Sequence, residues 1–301
     1  MDTTASNYQH LLPQAAEAAL LTDEERTHYI DSDRWLPYQR ANDVLDMLED
    51  LLKRPRVSRP PNMMIVGRSD NGKSHVLDRF STLHPGIPNL NGPNIFAPVM
   101  LVETPPTANA NDLYDIILHM LNKARPASRG PEVRREAVKD ILRVVETKIL
   151  MLDEINHLLS GTANRQREFF FALKHLSNEL RISIVIAGTP ESLQLLHLSD
   201  QIENRFRPEP LNLWVVGTEM RTLLANFEQV LPLRNPSLLS RKEIAVLIHS
   251  FGAETIGSIS TLLNDAAKEA IRTGVECITV EILKKCAPKT KHQIKLDRAR
   301  L

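Results

Sequence analysis

The chain has 301 residues, 42% of them hydrophobic, and its 37 Lys and Arg balance 37 Asp and Glu. That length suits one large domain or two modest ones around a sizeable core, and the balanced charge alone points to neither nucleic acid nor membrane, so local distribution must decide. Two cysteines, Cys277 and Cys286, without CxxC spacing argue against a structural zinc site or a disulfide framework, and a reduced, cytoplasmic setting is expected.

In chain order, the stretch MDTTASNYQHLLPQAAEAALL lacks the positive region and apolar core of a signal peptide. No apolar run approaches the roughly 20 residues that cross a bilayer, so no membrane partner is expected. Residues 11–56 read as helical, with acids early and Val44, Leu45, Leu48, Leu51 and Leu52 at helical spacing. The Pro-rich RPRVSRPPN at 54–62 marks a boundary. Four short apolar runs follow, MMIV (63–66), IFAPVMLV (95–102), ILML (149–152) and ISIVIA (182–187), separated by helical or loop segments. Such runs predict a parallel sheet covered on both faces, with LNLW (211–214) as a fifth strand. Beyond it TEMRTLLANFEQVL, SRKEIAVLIHSF, ISTLLNDAAKEAIRTG and TVEILKKCA read as helices. The expected domains are an N-terminal helical extension (1–62), an α/β nucleotide-binding core (63–214), a helical lid (215–285) and a basic tail (286–301). From Lys284 onward seven basic residues face one acid, Asp297; this segment reads either as a solvated tail or as a contact for DNA or a protein.

The run from Gly67 to Ser74, GRSDNGKS, satisfies G-x-x-x-x-G-K-[ST] in full, between an apolar strand and a helix. Gly67 and Gly72 allow backbone angles and close approach that a side chain would block. The intervening Arg68, Ser69, Asp70 and Asn71, with His75 just beyond, complete a loop whose N–H groups, together with a helix N-terminus, suit phosphate. Lys73 supplies charge near the β- and γ-phosphates and the Ser74 hydroxyl can ligate magnesium. Some eighty residues on, the ILML strand ends in Asp153–Glu154. The first carboxylate suits a magnesium-bound water and the second an attacking water, which favours NTP hydrolysis over simple phosphotransfer. Thr189, after the ISIVIA strand, reads either as a sensor of the γ-phosphate or as the cap of a following helix. Arg205, with Arg207 in reserve, reads as a finger for a neighbour's nucleotide or as a surface ion pair.

Together these features resemble an AAA+ ATPase. The segments DRWLPYQRA, GTANRQREFFFALKHLSNELRISIVIAGT and QIENRF are similar to the TniB family, ATP-binding accessory proteins of mercury-resistance-type transposons related to TnsC and more distantly to MuB. The similarity covers nearly the whole chain. It implies an AAA+ P-loop NTPase core with a parallel five-stranded sheet, an N-terminal helical extension and a small C-terminal helical lid. It further implies an ATPase using ATP and Mg2+, slow and partner-stimulated, that forms a homo-oligomeric filament or ring on double-stranded target DNA. Such an assembly hands its site to a TniA-type DDE transposase and a TniQ-type target selector, and hydrolysis dismantles it. The resemblance gives Lys73, Ser74, Asp153, Glu154, Thr189 and Arg205 the family's roles and sets Tyr38 against the adenine. One departure stands out. AETIGSIST has Ser258 where AAA+ lids often carry a basic sensor.

For DNA, the core offers Lys123, Arg125, Arg129, Arg134, Arg135 and Lys139 between residues 122 and 140, interspersed with Glu132, Glu136 and Asp140. Arg135 and Lys139 share a helical face by spacing. The run reads either as a sequence-neutral grip on phosphates or as a solvated helix with internal ion pairs. The absence of aromatic interleaving speaks against base stacking. No HExxH is present, and His157 and His175 read as packed or surface residues. Two rival functions share the loop. A helicase loader or remodelling ATPase would bind DNA only with its partner, and a small-molecule phosphotransferase would need an acceptor site but no arginine in trans.

Overall fold

The structure, a computed structural model, describes residues 8–32, 34–88, 95–121 and 130–288. The chain divides into two compact units, Gln39–Asn212 and a second made of Met1–Tyr38 with Leu213–Leu301. In chain order come α1 (Pro13–Ala18), α2 (Asp23–Asp31), α3 (Gln39–Lys53), β1 (Asn62–Gly67), α4 (Lys73–Leu83), β2 (Ile87–Pro88), β3 (Ile95–Phe96) and β4 (Val99–Glu103). Next are α5 (Ala110–Met120), α6 (Pro131–Val144), β5 (Ile149–Asp153), α7 (Ala163–Leu180), β6 (Ser183–Gly188), α8 (Asp200–Glu203) and β7 (Phe206–Leu211). Four helices close the described chain, α9 (Thr218–Val230), α10 (Lys242–Ser250), α11 (Ile256–Arg272) and α12 (Val280–Cys286). No helix among the described residues is long and apolar enough to cross a membrane.

The first unit is a five-stranded sheet in the order β4-β5-β6-β1-β7 with every neighbouring pair parallel. Crossover helices cover both faces of such a sheet, which is why β1 and β6 are buried at every position and β5 from Ile149 to Leu152. Phe169, Phe170 and Leu173 of α7 join Leu150, Leu152 and Ile184 in the core. The shared direction brings the C-terminal ends of the strands to one edge, with Gly188 paired to Val66 and Asp153 to Glu103. Ligands of open α/β sheets bind along that edge.

Two strands differ from expectation. The fifth runs over Phe206–Leu211, not 211–214, and pairs residue for residue with β1 from Asn62↔Phe206 to Gly67↔Leu211. Its Pro208 and Pro210 hid it in the sequence. They are tolerated because β7 is an edge strand, where alternate positions have no neighbour to receive an N–H. The apolar run 95–102 is two strands. Pro98 interrupts it, its carbonyl accepting the N–H groups of Lys148 (2.9 Å) and Ile149 (3.0 Å), and Ile95–Phe96 pairs antiparallel with Ile87–Pro88 instead of entering the main sheet.

In the second unit α11 carries the apolar stripe, burying Ile259, Leu262, Leu263, Ala266, Ala267 and Ala270 at three- and four-residue intervals. α2 starts on a capping box in which Thr22 and Glu25 satisfy each other's backbone N–H. One turn on, Arg26 is fully buried and spans the N- and C-terminal parts of the unit, donating to the Pro232 carbonyl (3.1 and 2.8 Å) and to Glu276. The expected N-terminal extension is therefore split: α1 and α2 group with the C-terminal helices, and α3 with the sheet.

Candidate nucleotide site

The loop between β1 and α4 takes its shape from three backbone facts. A Cβ on Gly67 would come within 3.1 Å of both the Cβ and the carbonyl oxygen of Leu211, so glycine lets the loop leave β1 close to β7 without pushing the two apart. Gly72 (φ 83°) and Asp70 (φ 64°) are left-handed, and such alternation in a short turn gathers N–H groups into an anion-binding concavity. The Asn71 side chain is buried and donates to the carbonyls of Leu211 (2.7 Å) and Asn212 (3.2 Å), tying the loop to the end of β7. Asn71, read from sequence as part of the phosphate-binding run, therefore contributes a tether.

Lys73 opens α4 and is buried, its Nζ donating to the Arg68 carbonyl at 3.0 Å. Burial holds its pKa below the ordinary lysine value, and the charges of Glu154, Asp153 and Asp70 oppose that shift. The loop lysine and both carboxylates of the DE pair thus act in one electrostatic field. Ser74 is half-buried in the first turn of α4, whereas Arg68, Ser69, Asp70 and His75 are exposed.

At the end of β5, Asp153 Oδ1 accepts the N–H of Glu154 at 2.8 Å. Glu154 then turns off the strand line at φ 53°, a left-handed conformation uncommon for a residue with a long side chain, and strain of this sort concentrates at functional sites. His157 Nδ1 lies 3.0 Å from the Thr104 carbonyl, and the Thr104 N–H reaches the Asp153 carbonyl at 2.9 Å. His157 supports the segment behind the acidic pair.

Thr189 follows β6 at the N-terminal boundary of the 3-10 helix Pro190–Leu198, but its hydroxyl makes no capping bond to that helix. The Thr189 side chain is the main reason the Glu191 carboxyl sits below its ordinary pKa, and the nearby Arg68 charge adds to the shift.

Arg205 lies at the other end of the sheet. Phe206 pairs with Asn62, the first residue of β1, whereas the loop leaves from Gly67, opposite Leu211. Five strand steps, roughly 16 Å, separate these positions. Arg205 Nη1 donates to Asn178 Oδ1 at 2.8 Å. Burial and then the neighbouring Arg59 lower its pKa. Arg207, 80% exposed, holds Glu209 at 2.6 Å.

Of the residues read as a DNA grip, Lys123, Arg125 and Arg129 lie outside the described residues. Arg134 Nε is 3.2 Å from Asp115 Oδ1, and Arg135 Nε is 3.8 Å from Glu136. Lys139, its side chain 9% exposed, sits between Glu136 (2.8 Å) and Glu179, whose hydrogen bonds raise its pKa. Arg135 and Lys139 therefore differ in access despite their spacing. In the second unit, Tyr38 is buried with its ring edge-on to Trp214 at 5.5 Å. Ser258 is the N3 residue of α11, and its hydroxyl closes a capping box with Thr255, which explains a serine at the position where a basic sensor was sought.

Residues 26–216 match the family described as Bacterial TniB protein. Among solved structures, the Aeropyrum pernix Orc1 protein in complex with DNA aligns at a TM-score of 0.56 and 16% identity, over 90% of this chain and 70% of that one. The Aeropyrum pernix Orc2 protein in its ADPNP–ADP complexes aligns at 0.53 and 17% identity, over 89% and 74%. RuvB of Thermotoga maritima aligns at 0.51 and 15% identity, over 86% and 72%. Identities this low speak for the fold alone, which is that of the AAA+ P-loop NTPases. No curated protein matches the chain.

Proposed function

The chain belongs to the TniB family, and from that premise we propose that it is an ATP-hydrolysing regulator of transposition that assembles on double-stranded target DNA. The observation that carries the ATPase part of this reading is that the Lys73 loop after β1 and the Asp153–Glu154 pair after β5 lie on the same C-terminal edge of one parallel sheet, with only β6 between the two strands. A polyphosphate suits the loop, because the buried Lys73 ammonium turns inward on the loop carbonyl of Arg68 and has further donors to offer. Lys73 binds the β- and γ-phosphates, and Glu154 orients the attacking water and takes its proton on a carboxylate oxygen. Thr189 contacts the γ-phosphate from the neighbouring strand end. Ser74 and Asp153 are the residues to hold Mg2+, which supplies neutralisation of charge on the phosphoryl oxygens. A site with one carboxylate and one hydroxyl is usual for magnesium held largely by substrate phosphates.

The position of Arg205 supports a role in trans. About a strand's length from its own loop, it serves a nucleotide held by an adjacent copy, and Arg207, tied to Glu209, is the weaker candidate. Nucleotide bound between copies then couples assembly to the γ-phosphate, and hydrolysis, slow until partners stimulate it, releases the assembly. Strand transfer falls to a TniA-type DDE transposase, with a TniQ-type protein selecting the site. DNA is held through phosphates by the segment containing Lys123, Arg125, Arg134, Arg135 and Lys139, with Arg135 the most accessible of those described. Similar folds hold DNA in one case and adenine nucleotides in another, in keeping with this reading.

Two variants test it together. Lys73→Ala should lose ATP binding and ATP-dependent assembly on DNA in parallel. Glu154→Gln should bind ATP with native affinity, release little phosphate and form longer-lived DNA assemblies. Normal nucleotide affinity in the first, or unchanged phosphate release in the second, would overturn the assignment. DNA binding that appears only when a second protein ring is supplied would favour a loader function.

A further inference from the structure

Arg59 and Arg205 stand together at the end of the sheet away from the phosphate loop. The parallel register that sets Asn62 opposite Phe206 places Arg205 beside Pro61, two positions from Arg59. Pro60 restricts the backbone of Arg59 before it, and Pro61 stiffens the approach to β1. Both arginines line one open cleft on this face. Arg59 is exposed and makes no hydrogen bond or ion pair among the described residues, and the hydrogen bond of Arg205 goes to the neutral amide of Asn178. The Arg59 charge reaches Arg205 across this cleft and adds to the lowering of its pKa by burial. Of the other charged groups on the cleft, Glu203 pairs with His197 and Arg207 with Glu209, Arg54 is a further cation, and Asp200 and Lys174 lie on the α8 and α7 side.

A pair of like charges with no acid between them is unfavourable in the free protein and is relieved when an anion enters. The planar guanidinium fork is suited to bidentate contact with phosphate oxygens. We propose that Arg59 joins Arg205 in a two-arginine anion site, filled by the polyphosphate of a nucleotide bound to an adjacent copy of this chain. This inference rests on Arg205 acting in trans and adds a second residue to that action. The proline-braced backbone keeps Arg59 in position before the neighbour arrives, which limits the ordering cost of forming the site.

The test compares Arg59→Ala, Arg59→Lys and Arg205→Ala in the full chain with duplex DNA, by phosphate release and by sedimentation of ATP-dependent assemblies. Both alanine variants should bind Mg-ATP as dispersed copies with native affinity, yet lose tenfold or more in phosphate release and sediment less with ATP. Arg59→Lys should keep assembly because the charge remains. Each alanine variant is then mixed with Lys73→Ala. Copies with an intact loop supply nucleotide and Lys73→Ala copies supply the arginine pair, so phosphate release should recover several-fold for both. Native release and assembly in Arg59→Ala while Arg205→Ala fails would overturn the role of Arg59 and leave Arg205 standing. Loss in Arg59→Ala without recovery on mixing, where Arg205→Ala recovers, would show that Arg59 acts within its own chain and likewise overturn the proposal. Native behaviour in both would overturn it together with the trans reading beneath it.

Discussion

Arg26 has no exposed surface, and its fork meets both carboxylate oxygens of Glu276 while Nε and Nη2 donate to the Pro232 carbonyl. Replacing it by Met keeps much of the stem's packing and removes all these donors. Glu276, 12% exposed, is then left with Arg234 at 3.4 Å, and the Pro232 carbonyl loses two hydrogen bonds. Removing one partner of a buried ion pair costs about 3–5 kcal/mol, and an orphaned buried carbonyl about 1–3 kcal/mol. Allowing for relief from Arg234, a loss of about 4 kcal/mol is expected, a fall of roughly 8–16 °C in Tm for a domain of this size class. Glu276→Met should be similarly harmful because it strands the arginine. The double variant Arg26→Met/Glu276→Met leaves neither charge buried and should be more stable than either single, by about 2 kcal/mol.

Acid adds a check on the sign. Burial pushes the Glu276 carboxyl up, but hydrogen bonds and charge from Arg26, with Arg234, hold it below its ordinary value of 4.5. The pair's contribution is thus present above that value and is lost as pH falls through the lower folded pKa, so the gap between wild type and Arg26→Met should narrow in acid. Thermal and urea melts followed by circular dichroism measure these quantities. Additive single and double variants would refute the reasoning.

Asn71→Ala should free the phosphate loop from β7 and shift about 1.4 kcal/mol of ordering cost onto ligand binding, raising the ATP Kd about tenfold. Titration with a fluorescent ATP analogue measures this, and unchanged affinity would show that the tether is not what shapes the loop. Alanine at both Arg134 and Arg135 should weaken DNA binding and flatten its salt dependence by up to about 0.9 per arginine in the log–log slope. Arg135 should account for most of the change, because Arg134 is committed to Asp115. An unaltered slope would move the DNA surface elsewhere.

The nucleotide loop and the acidic pair were legible because backbone chemistry dictates them locally: glycines at fixed offsets, a lysine at a helix start, carboxylates at the end of a buried strand. The three central strands, β1, β5 and β6, were legible as apolar runs for the same reason that they are buried on both faces, and the edge strand β4 as part of the run 95–102. β7 was not, since an edge strand with Pro208 and Pro210 has neither alternation nor a continuous apolar run. Nothing in the sequence singles out Arg26 on its acid-rich helix, because its partners, Pro232 and Glu276, lie more than 200 residues away. The basic run at α6 shows the converse limit. Spacing placed Arg135 and Lys139 on one face, but Glu179 of α7 comes from outside the window and buries the lysine's charge. In the sequence Arg59 belongs to a Pro-rich boundary, and only the register of β7 against β1 brings it beside Arg205.

The central claim is that bound γ-phosphate locks copies of this chain together on DNA. Negative-stain microscopy of the purified chain with duplex DNA in ATP, a slowly hydrolysed analogue or ADP tests it most directly. Filaments or stacked rings on the DNA with ATP and with the analogue, and none with ADP, are the predicted result. Dispersed single copies in all three conditions would contradict it.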